Sequence, residues 1–199
     1  MILPDGYHDV PAGHLAAVVT YLEMLARPAP RAERGAAPWT LRRVESPSLD
    51  WYRDLFRRVG TDWLWSSRLE SSDAELSAVI GDPRIEVHAL LHDGRDEGLL
   101  ELDFREPGAC ELGFFGLTPV LVGLGAGRWL MNRAIAQVWS RPVTRFWLHT
   151  CSLDSPGALD FYRRSGFTPY AAKVEVYADP RLTGVLPRDA APQIPLIGG

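Results

Sequence analysis

Residues 109–170 read ACELGFFGLTPVLVGLGAGRWLMNRAIAQVWSRPVTRFWLHTCSLDSPGALDFYRRSGFTPY. Ala109 to Leu117 is an apolar, aromatic-rich run of strand length, and Arg145 to Thr150 is a second. Between them the turn Val122-Gly123-Leu124-Gly125-Ala126-Gly127 opens onto a helix with Leu130, Met131, Ala134, Ile135 and Val138 on one side and Asn132, Arg133 and Gln137 on the other. A crossover of this length predicts that the two strands are parallel neighbours. Pro156 to Ser165 reads as a further helix and Ala171 to Tyr177 as a last strand. A glycine turn leading into a helix points backbone N–H groups at an anion where the helix dipole is positive, so the segment describes a site for a phosphorylated ligand.

Working outward, Ile85 to Phe104 holds two strand-like runs around Asp93-Gly94, a hairpin signal, and Leu100, Leu102 and Phe104 alternate with Glu101 and Asp103. Ser72 followed by Glu75 has capping-box spacing and predicts a helix to about Ile80. Pro47-Ser48 introduces another helix over Leu49 to Val59, and Trp39 to Val44 reads as a strand. Upstream, residues 1–38 read as an arm and linker, with a strand at Val18 to Leu22 and a Pro- and Ala-rich connector, ARPAPRAERGAAP. Residues 39–178 form the main domain and residues 179–199 a Pro-rich tail. The fold class is α/β: a mixed, mostly antiparallel central sheet flanked by helices, with one parallel strand pair.

Composition narrows the class. The chain has 199 residues, 46% hydrophobic and 23% charged, with no apolar run near the roughly 20 residues that span a bilayer. A net charge of −4 with scattered Arg speaks against nucleic acid as a partner. Of the 21 basic residues only Lys173 is a lysine. Cys110 and Cys151 lack metal-ligand spacing and read as core thiols, so no metal site is expected. Met1-Ile2-Leu3-Pro4 lacks the basic flank and apolar stretch of a secretory signal, and a cytoplasmic protein is the expectation.

Two separated motifs carry a resemblance over about Trp39 to Tyr177. Val122-Gly123-Leu124-Gly125-Ala126-Gly127 is similar to the Gln/Arg-x-x-Gly-x-Gly/Ala pyrophosphate loop of the GNAT superfamily of acyl-coenzyme A-dependent N-acyltransferases. Ser155, Ala158, Tyr162, Gly166 and Phe167 match that family's Asn-x-x-Ala-x-x-x-Tyr-x-x-x-Gly-Phe pattern. The resemblance implies acetyl-coenzyme A as cosubstrate, held by Leu117, Val122, Gly123, Leu124, Gly125, Ala126, Gly127, Arg128 and Ser155. It implies acetyl transfer to a primary amine, small-molecule or peptide, by direct attack. A homodimer is compatible with it. Val122 stands where the family has Gln or Arg, and Ser155 where it has Asn. Arg128 either supplies the missing positive charge or is a solvated helix residue; Ser155 either bonds the cofactor or caps the helix at Pro156.

The chemistry asks for few groups. An ammonium of pKa near 10.4 must lose a proton before attack, and Glu111, sixteen residues before Gly127, is the candidate base or else an exposed strand residue. The departing thiolate, pKa about 8.5, calls for a donor, and Tyr162 is the candidate acid or else a packing aromatic. A backbone N–H near Phe115 to Leu117 would stabilise the oxyanion. His149 reads as strand-end packing rather than as the partner of a Cys151 nucleophile. By resemblance the acceptor side draws on Trp63, Trp65, Arg68, Glu101 and Asp103. Two alternatives stand beside this reading. A dinucleotide-binding fold is disfavoured because its third glycine falls at Arg128. A non-catalytic acyl-coenzyme A-binding regulatory module is disfavoured by Glu111 and Tyr162.

Overall fold

The protein is described by a computed structural model covering residues 3–33 and 38–198. Seven strands form one sheet: β1 (His14–Met24), β2 (Thr40–Arg43), β3 (Ile85–His92), β4 (Arg95–Asp103), β5 (Ala109–Leu117), β6 (Arg145–Cys151) and β7 (Thr168–Ala178). The helices are α1 (Leu49–Gly60), the short α2 (Ser67–Glu70), α3 (Asp73–Ile80), α4 (Ala126–Val138) and α5 (Ala158–Arg164). Strand order is β2-β3-β4-β5-β6-β1-β7, and every pair is antiparallel except β5–β6. The mixed sheet with one parallel pair is the fold class expected from the sequence.

Local signals place most elements. Ser48 caps α1 by accepting from the Trp51 N–H, and Ser72 with Glu75 forms the complete capping box of α3. Asp93 and Gly94 both have positive φ, 47° and 79°, as the tight turn between β3 and β4 requires. The apolar stripe of α4 is buried against one sheet face with Leu22, Leu100, Leu102, Phe146 and Leu148. On the other face α1 and α3 bury Tyr52, Leu55, Phe56, Val59, Leu76 and Ile80 against β3 and β4. Helix α1 lies so close that a methyl at Gly116 would sit 2.3 Å from Val59 Cγ1, which fixes glycine in β5 at that point.

Both ends of the chain differ from the expectation. The stretch read as an arm is an interior strand: β1 pairs with β6 on one side and β7 on the other, with Val19 opposite both Cys151 and Lys173. Alternating burial of Leu15, Ala17 and Val19 on one face and of Leu22 and Met24 on the other gives this strand core contacts on both sides. The C-terminal segment likewise packs down, with Leu186, Ala190 and Ala191 buried against Leu15 and Leu64. Its anchor is Arg181, a buried guanidinium paired with Asp179 at 2.7 Å that also donates to the carbonyls of Ala190, Ala191, Ile194 and Pro195. A charge this deep persists because each donor is occupied.

Candidate active site

The parallel ladder between β5 and β6 is short, joining only Ala109–Glu111 to Arg145–Trp147. Beyond Glu111 the strands part, and β5 continues to Leu117 with no strand on its β6 side. A bulge helps open the gap. Register slips between Glu101 and Leu102, leaving Gly113 extra in β5, and a side chain there would meet Glu101 Oε1 at 3.0 Å. The result is a cleft of about 1110 Å³ whose walls come from β5, β6, α2, α5 and the glycine turn.

At one end of the cleft lies the head of α4. Gly123 and Gly125 have φ of 83° and 94°, a conformation that L side chains resist, and the space a Cβ would take is open at both. Gly125 is the N-cap and brings no side chain, so the first amides of α4 have no side-chain acceptor. Gly127 serves closeness instead: a methyl there would lie 3.7 Å from Phe161 and 3.8 Å from Leu117, where α4, α5 and β5 converge. This arrangement fits a pyrophosphate, with free N–H groups and a helix N-terminus on its charge. Leu117, Val122, Gly123, Gly125, Gly127, Arg128 and Ser155 all line the cleft. Ala126 contributes at most its backbone, because its methyl is fully buried in the core, and the exposed Leu124 is not part of the lining. Ser155 is not the helix cap, since α5 begins at Ala158 behind Gly157.

Three guanidiniums gather at this end. Arg128 donates to the Ala32 carbonyl at 2.8 Å, and its Nε has no partner among the described residues. Arg31 comes from the connector, far away in sequence. Asn132 on α4 holds it by both backbone groups, accepting from its N–H at 3.2 Å and donating to its carbonyl at 2.8 Å. Arg164 completes the group. Burial and the charges of Arg128 and Arg164 lower the Arg31 pKa, the mark of cations crowded where an anion would relieve them.

Tyr162 and Glu111 stand in the same cleft. The Tyr162 ring is wedged edge-on against Phe115, Phe161 and Phe167, and its hydroxyl makes no hydrogen bond among the described residues. Burial, with a smaller effect from Asp154, raises the phenol's pKa, so it stays protonated and can donate. Glu111 ends the parallel ladder, at the fork. His149 Nδ1 lies 3.5 Å from Glu111 Oε1, and about half of its side chain is exposed to the cleft beside Tyr21. The Glu111 carboxylate raises the His149 pKa above the usual imidazole value. Strand-end packing is therefore not what His149 does here; it shares the cleft with Glu111. Cys151 lines the cleft too, but burial and then Asp154 push its thiol up to about 11, far from a ready nucleophile.

Trp63, Trp65, Arg68, Glu101 and Asp103, which the resemblance assigns to an acceptor, line the cleft. The two carboxylates are already engaged. Glu101 is buried, accepting from the Tyr52 hydroxyl at 2.6 Å and from Arg68 at 2.5 Å, while Arg68 also stacks over Phe114. Asp103 accepts twice over from Arg105. Glu70, Glu111, Asp154 and Glu175 are the cleft carboxylates without an Arg partner among the described residues, and of these Asp154 is already engaged, accepting from the Thr150 hydroxyl, the Cys151 N–H and the Trp65 indole. No group of three His, Cys, Asp or Glu side chains among the described residues converges as metal ligands, and no described helix is long and apolar enough to cross a membrane.

A sheet forked beside a bare glycine turn, with a tyrosine helix closing the fork, defines the acyltransferase class of fold. The chain belongs to the Acetyltransferase (GNAT) family, whose model matches residues 49–167. No curated protein sequence matches it significantly. Among solved structures it is similar to a GCN5-related N-acetyltransferase from Sphaerobacter thermophilus, with 15% identity and a TM-score of 0.62 over 83% of this chain and 53% of that one. A functionally unknown conserved protein from Staphylococcus epidermidis shares 13% identity and a TM-score of 0.57 over 84% and 63%. The ribosomal-protein-S18-alanine N-acetyltransferase from Escherichia coli shares 16% and 0.55 over 71% and 94%. The chain spans less than two thirds of the length of the first two, and at these identities the likeness is one of fold.

Proposed function

We propose that the protein is an N-acetyltransferase that moves an acetyl group from acetyl-coenzyme A to a primary amine, small-molecule or peptide, by direct attack. The observation that carries this is the union of three features in one cleft: the open glycine turn, the unpartnered Tyr162 hydroxyl and the Glu111–His149 pair. The turn, Arg128 and Arg31 hold the phosphates, and the free edge of β5 up to Leu117 offers backbone groups to the rest of the chain and to the thioester carbonyl. Glu111, with His149, takes the proton from the acceptor ammonium. The amine nitrogen bonds to the acyl carbon, the carbon–sulfur bond breaks, and the proton that the new amide nitrogen sheds ends on the departing sulfur, to which Tyr162 donates a hydrogen bond. Glu70 and Glu175 favour a cationic acceptor by keeping negative charge at the cleft.

A thiol-release assay with acetyl-coenzyme A and a panel of amino acids, polyamines, aminoglycosides and peptides tests the reading. Release with at least one amine is expected; tight coenzyme binding with no release from any acceptor would instead identify a binding module. In the same assay Arg31→Ala should raise the KM for acetyl-coenzyme A by roughly three- to tenfold, the scale of one charge-assisted phosphate contact, with kcat little changed. An unchanged KM removes Arg31 from the phosphate site.

A further inference from the structure

β7 is an edge strand of eleven residues, and all but Tyr177 are exposed. Edges of this length are ordinarily shortened, charged or covered, because their free N–H and C=O groups invite another strand. On one sheet face β7 carries Ala172, Val174 and Val176, next to Ala16 and Val18 of β1; Val18, Val174 and Val176 are each about half exposed, at 54%, 50% and 49%. On the other face it carries Ala171, Lys173, Glu175 and Tyr177, with the Lys173 ammonium 4.5 Å over the Tyr21 ring.

We propose that this edge pairs with β7 of a second copy of the chain, antiparallel, about a two-fold axis through Val174. The sequence on either side of Val174 is complementary to itself under that operation. Lys173 falls opposite Glu175 of the second copy, Ala172 opposite Val176 and Ala171 opposite Tyr177. Each pair joins plus to minus or small to large, and Val174 meets its own copy on the axis. An axis one residue to either side sets Lys173 against Lys173 or Glu175 against Glu175, so charge fixes the register. Pro169, which has no N–H to give, lies outside the 171–177 ladder. Because Glu175 lines the cleft, the pairing also brings the second copy's lysine to the cleft's rim.

The test uses the full chain. Light scattering or sedimentation should give twice the 22.1 kDa chain mass. Val174→Cys, whose thiol would face its own copy at disulfide distance, should yield a covalent dimer on mild oxidation. Lys173→Glu sets two carboxylates against each other on both sides of the axis and should weaken the dimer by roughly tenfold; the double variant Lys173→Glu/Glu175→Lys should restore it. A mass of one chain at about 100 µM, where even weak specific dimers assemble, overturns the proposal. So does a dimer that ignores the charge reversal, or one that Val174→Cys does not link.

Discussion

Tyr162→Phe is expected to lower kcat about a hundredfold while leaving the KM for acetyl-coenzyme A within roughly threefold. The ring's place is set by Phe115, Phe161 and Phe167, and phenylalanine keeps all three contacts. Only the unpartnered hydroxyl is lost, so stability should hardly change. The magnitude follows from the pKa. A phenol raised by burial is a weak acid that donates a hydrogen bond to the sulfur better than it surrenders its proton, so the effect belongs at the low end of general-acid contributions. Turnover equal to the parent protein would take Tyr162 out of the reaction and make it a packing residue.

Glu111→Gln should cut kcat by roughly 10²-fold or more and also move the pH profile. Its carboxylate raises the His149 pKa, so in the parent protein the pair sheds its proton at higher pH than a free imidazole does. Activity that needs the unprotonated pair therefore rises with pH through that raised value. Glutamine removes the charge that held the proton on His149, and the rising limb must shift to lower pH even as the plateau falls. A shift in this direction separates a coupled pair from a carboxylate acting alone, which would lower the plateau and leave the surviving limb in place. If neither plateau nor limb moves, Glu111 is a strand residue at a fork and no more.

Legibility in the sequence followed the range of the interactions. The Asp93-Gly94 turn, the Ser72–Glu75 box and the α4 stripe are decided within a few residues, and each was readable as such. The parallel β5–β6 pair followed from the length and helical content of its crossover. Arg31 was not legible. Its backbone is held by Asn132, about a hundred positions away, and nothing in ARPAPRAERGAAP shows that Arg31 lies at the glycine-turn end of the cleft. His149 could have been found from its alternation with Cys151 on β6, but its pairing with Glu111 depends on a parallel register that spacing does not supply. Glu101 shows the converse: the resemblance directed attention to it and it does line the cleft, yet Tyr52 and Arg68 have already taken its oxygens. The C-terminal segment was read from its prolines, whereas its structure depends on one arginine gathering carbonyls without any period.

The position of β1 bears on how the chain reaches this structure. Its partners are residues 146–151 and 168–178, so the first of the seven strands to leave the ribosome must wait for about 125 further residues before β6 is out and about 150 before β7 is. At roughly 5–20 residues per second the first of these waits is on the order of 6–25 s, during which a strand rich in valine and leucine has neither of its partners. The hairpin of β3 and β4 and the α4 crossover can form in the meantime from nearer contacts, while the β6–β1–β7 half of the sheet is held back by its loop-closure entropy. The strand that precedes the other six is thus among the last to be placed, and its late arrival is the moment at which the growing chain is most open to pairing with the wrong edge.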